Sequence, residues 1–253
     1  MTRCHHLRSA SLMIVCLTGI APVMARAPEM TSSMSKGATS APHAANYVDV
    51  RVFDVTKAIP PPPEAGSLAD MADLESLLEV QAARSAVDCD WAGLIIKGDV
   101  FSSSDLIGSW FATKENLPAT AELFNKVSKD VSTVTDHARD LFKRVRPYVA
   151  STEVSPCVTK PNGYSYPSGY ATEVYVRALI LAELFPDKRT ALITQAHRRA
   201  WARVLGGVHY PSDDIGGKLL ADALLAEFRK SPAFMEALDK AKAEVRTAAL
   251  AHE

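Results

Sequence analysis

The sequence has little that could hold a metal ion. It contains four cysteines and seven histidines, and Cys4, Cys16, His5 and His6 all fall within the first 25 residues. The remainder, Cys89 and Cys157 with His43, His137, His197, His209 and His252, shows no His/Cys/Asp/Glu spacing typical of a metal site. No metal and no other cofactor is therefore expected. Long apolar runs are also missing beyond the N-terminus. The stretch Val174 to Phe185 is interrupted by Arg177 and Glu183, so nothing there is suited to span a bilayer. A basic stripe is absent too, which removes electrostatic support for nucleic-acid binding. Finally, no convincing run of alternating strand residues appears, so the expected fold class is all-α, a single-domain helical bundle.

What is present starts with an N-terminal leader. Arg3 and Arg8 precede an apolar run from Ser9 to Ala25 that ends in Val23-Met24-Ala25, the pattern of a secretory signal peptide cleaved after Ala25. A retained membrane anchor is the alternative. Cleavage would remove two basic residues and move the formal net charge from −1 to −3. It implies a periplasmic or secreted protein with no membrane span of its own. In such a compartment Cys89 and Cys157 are expected to pair, the alternative being two separate buried thiols. With 47% hydrophobic and 23% charged residues, the rest suits one domain with a sizeable core.

The expected organisation is a signal peptide over 1–25, a flexible mature N-terminus over 26–46 and a helical domain over 47–253. Residues 48–55 read as extended, and Pro60-Pro61-Pro62-Pro63 as a stiff polyproline stretch. From Ser67, Leu68, Met71, Leu74, Leu77 and Leu78 recur at helical spacing. Further helices are expected near 79–89, 103–112, 117–145, 170–185, 188–205, 212–228 and 232–250. Gly206-Gly207 should close one helix, and Pro211-Ser212-Asp213-Asp214 should open the next with carboxylates in its first turn. His209 then falls in a short loop, a position from which it would add little to packing.

Three motifs carry chemistry. Arg139 and Arg146, seven residues apart, would share one helix face, where guanidinium groups can bind phosphate oxygens in pairs. A solvated basic face would look the same. Pro167-Ser168-Gly169-Tyr170 places a capping serine and a glycine at a helix N-terminus, an arrangement that presents free N–H groups to an anion or simply caps the helix. Arg203-x5-His209-x3-Asp213 is the sharpest. A carboxylate that accepts from one imidazole nitrogen leaves the other free to attack, although a surface histidine beside a capping aspartate has the same spacing.

Taken in this order, the three motifs resemble the signature of the acid phosphatase/vanadium haloperoxidase superfamily, also called type 2 phosphatidic acid phosphatases. The chain resembles the secreted bacterial class A nonspecific acid phosphatases beyond the motifs as well. Pro60 to Ser67, Asn162 to Gly169, Ser231-Pro232-Ala233-Phe234 and Lys240 to Glu244 carry that likeness, which runs from about residue 48 to 246. The resemblance implies hydrolysis of small-molecule phosphate monoesters through a phosphohistidine. It implies His209 as nucleophile, Asp213 as its orienting partner, and Arg139, Arg146, Arg203, Ser168 and the Gly169 amide as the phosphate cradle. Three positions depart from it. Arg139 stands where the family has lysine, and Ala202 where it has serine. Tyr170 stands where the family has the histidine that protonates the leaving group, and a phenol with pKa near 10 is a poor donor by comparison. The departures keep two alternatives in view, a weakened phosphate-ester binder and a vanadate-dependent haloperoxidase. The sequence leaves homo-oligomerisation open.

Overall fold

The computed structural model describes residues 46–252, and among these the regular structure is helical throughout. The expected signal peptide and nearly all of the 26–46 segment lie outside the described residues. Ten α-helices follow in order: α1 (Val55–Ala58), α2 (Leu68–Ala83), α3 (Ala86–Ile95), α4 (Ser104–Ile107), α5 (Pro118–Phe142), α6 (Pro147–Ala150), α7 (Gly169–Leu184), α8 (Arg189–Leu205), α9 (Pro211–Phe228) and α10 (Pro232–Leu250). No helix among the described residues is long and apolar enough to cross a membrane.

The centre of the bundle is α7. Residues on all its sides are buried, including Val174, Val176, Ile180 and Leu181, as expected for a helix enclosed by others. It packs against α8, α9 and α5. Burying each large aliphatic side chain contributes roughly 1.5–3 kcal/mol. By contrast α5 is amphipathic, burying Leu123, Phe124, Val127, Val131, Val134 and Ala138 at three- and four-residue spacing. Its N-terminus docks on α10, where Glu244 accepts the N–H groups of Ala119 (2.9 Å) and Thr120 (2.8 Å).

Several expected elements are corrected. Residues 48–55 form no extended strand: the chain turns at 50–52, and Asp54 caps α1 by accepting from Thr56 and Lys57. The expected break near residue 79 lies instead at Arg84-Ser85. There Ser85 and Asp88 form a reciprocal capping box that starts α3. On α2, Leu77 is fully buried, whereas Leu68 and Met71 face solvent, so the apolar stripe covers only the second half. The single helix expected over 103–112 is a series of short pieces, broken at Gly108 with φ of 140°. The expected helix over 117–145 stops at Phe142 because Lys143 adopts a left-handed conformation, φ 52°.

Cys89 and Cys157 are joined by a disulfide with Cα atoms 5.7 Å apart, which ties α3 to the loop before α7. That loop supports the turn after α8. Cys157 N–H donates to the Gly206 carbonyl (3.1 Å), and Arg84 donates to the Leu205 carbonyl (2.7 Å) and to that of Ser155.

Candidate active site

His209 reaches its position through a turn that requires glycine. Gly207 has φ of +77°, and a Cβ there would sit 3.1 Å from Pro156 Cα and 3.3 Å from Arg84 Nη1. The Val208 N–H closes the turn onto the Arg203 carbonyl at 3.1 Å. His209 follows, and its place in the loop is misleading, because it is only 2% exposed. It is packed as tightly as a core residue.

Both ring nitrogens have partners, which fixes the tautomer. Nδ1 lies 3.2 Å from Asp213 Oδ2, and Nε2 lies 3.2 Å from Arg146 Nη1. A carboxylate can only accept and a guanidinium can only donate, so Nδ1 carries the proton and Nε2 carries the lone pair. Burial, with the charges of Arg146 and Arg139, lowers the His209 pKa to about 4 against the opposing pull of Asp213. The ring is therefore neutral in mildly acidic solution.

Asp213 is held by more than the histidine. It occupies the first turn of α9, where Oδ2 also accepts the Tyr210 N–H at 2.9 Å. Its Oδ1 accepts from Arg144 Nη1 at 2.9 Å. Arg144 in turn donates to Asp70 (2.9 Å) and Asp73 (2.8 Å) of α2 and to Ser212 Oγ (2.7 Å), and it lies 4.0 Å above the Tyr210 ring. Burial alone would lower the Arg144 pKa, but Asp213, Asp73 and Asp70 outweigh it and raise it. Burial pushes the Asp213 carboxyl up, and His209 and Arg144 more than compensate, holding it below the usual range. Sequence reasoning missed Arg144. The available signal was Asp70 and Asp73, two acids close together on α2 that need a cation once buried.

On the other side of the ring lie three arginines. Arg146 is 3% exposed and donates to the carbonyls of Gly163 (3.0 Å), Val208 (2.9 Å) and Asn162 (3.3 Å). Arg203, 6% exposed, has an Nη1 with no hydrogen-bond partner, and its guanidinium lies 5.9 Å from the Tyr170 ring centre. Arg139 donates to the Pro167 carbonyl at 3.3 Å and pairs with Asp136 at the surface. Among the described residues neither Arg146 nor Arg203 has a carboxylate within ion-pair distance. Burial first, and then neighbouring arginines, lowers the pKa of Arg146 to about 10; the same causes lower Arg203. Arg139 and Arg146 do not share a helix face as expected. Arg139 is on α5, while Arg146 lies beyond the helix end in extended backbone leading into α6. The left-handed turn at Lys143 brings them together by a different route.

Ser168 caps α7 as expected, its hydroxyl accepting the Ala171 N–H at 3.3 Å and its carbonyl the Thr172 N–H at 2.9 Å. The Gly169 and Tyr170 N–H groups precede these in the first turn, at the positive end of the helix dipole. Gly169 admits Arg139: a Cβ there would lie 2.8 Å from Arg139 Nη2. Tyr170 follows Gly169 in the same first turn. Its hydroxyl donates to the Ile95 carbonyl at 2.9 Å, and burial raises its pKa. The one proton it could give is committed elsewhere. Of the other internal histidines, His197 meets the Tyr175 hydroxyl at 2.5 Å, and His137 is exposed on α5.

A neutral imidazole with an oriented lone pair therefore faces a buried group of guanidiniums and a helix N-terminus. Such an arrangement can hold a tetrahedral oxyanion and attack it. The description "PAP2 superfamily" matches residues 121–232, a span that contains all these groups. The chain is similar to the non-specific acid phosphatase of Providencia stuartii, 27% identical over 209 residues that cover 77% of this chain and 82% of that protein. It is similar as well to the non-specific acid phosphatase of Salmonella typhimurium, 26% identical over 198 residues, 74% of this chain and 78% of that protein. Among solved structures, the first transmembrane PAP2 type phosphatidylglycerolphosphate phosphatase from Bacillus subtilis overlays at a TM-score of 0.46. It is 18% identical, with 65% of this chain and 87% of that one covered.

Proposed function

From the premise that the chain carries a PAP2 superfamily domain of the bacterial acid phosphatase kind, we propose that it is an exported phosphatase that hydrolyses small-molecule phosphate monoesters, without a metal, through a phosphohistidine. The observation that carries this reading is the two-sided environment of His209: an ionised carboxylate on Nδ1 and guanidiniums lacking carboxylate partners beyond Nε2.

The reaction follows from that geometry. The arginines, Ser168 and the first-turn amides of α7 bind the phosphoryl oxygens. As the ligand's oxygens draw Arg146 from Nε2, the lone pair attacks phosphorus and the bond to the ester oxygen breaks. Charge develops on the imidazole, and the Nδ1–H bond to Asp213 stabilises it. The leaving alkoxide or phenoxide takes a proton from water, because Tyr170 is committed to Ile95. A second water then attacks the phosphorus, releases inorganic phosphate and returns the lone pair to Nε2.

Turnover of p-nitrophenyl phosphate by the purified protein, undiminished by EDTA, together with an acid-labile phosphoenzyme on rapid quenching, is the expected result. Activity lost to EDTA and restored by a divalent ion would overturn the mechanism. One observation favours a second reading, a phosphate-ester binder with feeble turnover: the site offers no placed proton donor for a poor leaving group. A protein that binds glycerol phosphate tightly but leaves it intact would establish that reading.

A further inference from the structure

Asp214 is the one buried carboxylate beside the cradle that this mechanism leaves unused. It follows Asp213 on α9, is 7% exposed, and neither of its oxygens completes a hydrogen bond. Four groups face it: Asp213 on its own helix, Arg203 from α8, Tyr175 from α7, and the Ser168 side chain at the start of α7. Two of these, Ser168 and Arg203, belong to the cradle. A hydroxyl has one proton to give and two lone pairs to receive with. Ser168 already receives the Ala171 N–H. If Asp214 is a neutral acid, it can donate to the second lone pair, and the serine proton is left for a phosphoryl oxygen. If Asp214 is ionised, it claims the serine proton for itself and attracts Arg203 away from the ligand.

We propose that Asp214 is a positioning residue that keeps the phosphate cradle competent only while its carboxyl is protonated, by aiming the Ser168 hydroxyl at the ligand and leaving Arg203 unpaired. The proposal deepens the phosphatase reading and rests on it: it makes acid-side operation a property of anion binding. The electrostatics agree, since burial and the neighbouring Asp213 push the Asp214 carboxyl well above its ordinary range. The sign follows directly. Protonated Asp214 prevails at low pH, so affinity for a dianion is full there and declines as pH rises through the carboxyl's raised pKa.

The test uses sulfate, a tetrahedral anion whose charge is constant from pH 5 to 8.5, so that any pH dependence belongs to the protein. His209 titrates near 4 and Tyr175 near 12, both outside this window. Calorimetric Kd values for wild type should weaken with rising pH, approaching tenfold per unit once Asp214 ionises. In Asp214→Asn the amide N–H₂ donates to Ser168 at every pH, and the curve should be flat. Parallel curves for the two proteins, or no sulfate binding at pH 5, overturn the proposal. Turnover of p-nitrophenyl phosphate at pH 5 by the same samples separates the two readings. Its absence, with the sulfate curves still divergent, defeats the phosphatase assignment alone. If Asp214→Asn does not fold, wild type decides by itself. Sulfate binding on the declining limb of the wild-type curve, measured in buffers of different ionisation enthalpy, should take up close to one proton, and zero uptake is the contrary result.

Discussion

Arg144 and Arg146 are two residues apart and both buried, yet they serve opposite flanks of the same histidine. Arg144 lies among Asp70, Asp73 and Asp213, with a serine hydroxyl and a tyrosine face completing its surroundings. Arg146 has only carbonyls and an imidazole nitrogen. A buried cation with its full complement of acids is part of the architecture, and removing it strands those acids. A buried cation with none is kept at a cost in desolvation and repulsion that the fold alone does not explain. The contrast therefore separates framework from candidate ligand site without reference to sequence similarity.

Removing the proposed nucleophile between the flanks should have the largest effect. His209→Asn, which can still donate to Asp213, should reduce kcat on p-nitrophenyl phosphate by about 10⁴-fold or more. Residual activity near wild type would place the nucleophile elsewhere and dissolve the comparison. The flanks themselves should respond in opposite currencies. Arg144→Met leaves Asp73 and Asp213 unpaired and should cost about 3–5 kcal/mol of stability, read from urea unfolding. Arg203→Met removes an unpaired charge. It should lower kcat/KM by roughly 10²–10³ with the unfolding midpoint unchanged or raised. Equal destabilisation by both variants would erase the distinction.

The pH response sharpens the same division. His209 has a depressed pKa in the folded state, so the unfolded chain binds more protons between about pH 6.5 and 4, and stability falls as pH drops through that window. Asp213, also depressed, acts in the same direction at lower pH, losing its contribution as it protonates. Activity should decline below about pH 4 as the proposed nucleophile, His209, becomes protonated. A plateau of kcat/KM down to pH 3 would contradict the assigned ring state. The smallest effect concerns the leaving group. With Tyr170 bound to Ile95, p-nitrophenyl phosphate should be hydrolysed faster than glycerol phosphate. Tyr170→His should narrow that gap by on the order of tenfold. Equal wild-type rates on both esters would reveal a proton donor that the geometry does not show.

The parts of this site legible in the sequence are those that lie within one turn of chain. His209 and Asp213 are four residues apart across a helix start, and Pro211, the glycine pair and the Ser168 cap each announce a local conformation. What escaped depends on distant chain. Nothing near Tyr170 indicates that its hydroxyl will meet a carbonyl 75 residues earlier. The convergence of Arg139 and Arg146 depends on a left-handed lysine at 143, where a glycine would have been the recognisable stop. Arg144 needed α2 to be placed before its role could appear. The Ser85–Asp88 capping box, by contrast, is a local signal that places the helix break at Arg84-Ser85 and not near residue 79, where the leucine pattern ends.

Under the proposed reaction, the lone Nη1 of Arg203 has a kinetic consequence. Inorganic phosphate presents the same oxygens to the cradle as the ester does, so whatever repulsion substrate binding relieves among the arginines, product binding relieves equally. Interactions shared by substrate, intermediate and product deepen every bound state and do nothing for the barriers between them. An enzyme built this way should be inhibited by its own product at modest concentrations. On good leaving groups, its turnover should be limited by how slowly the last anion departs.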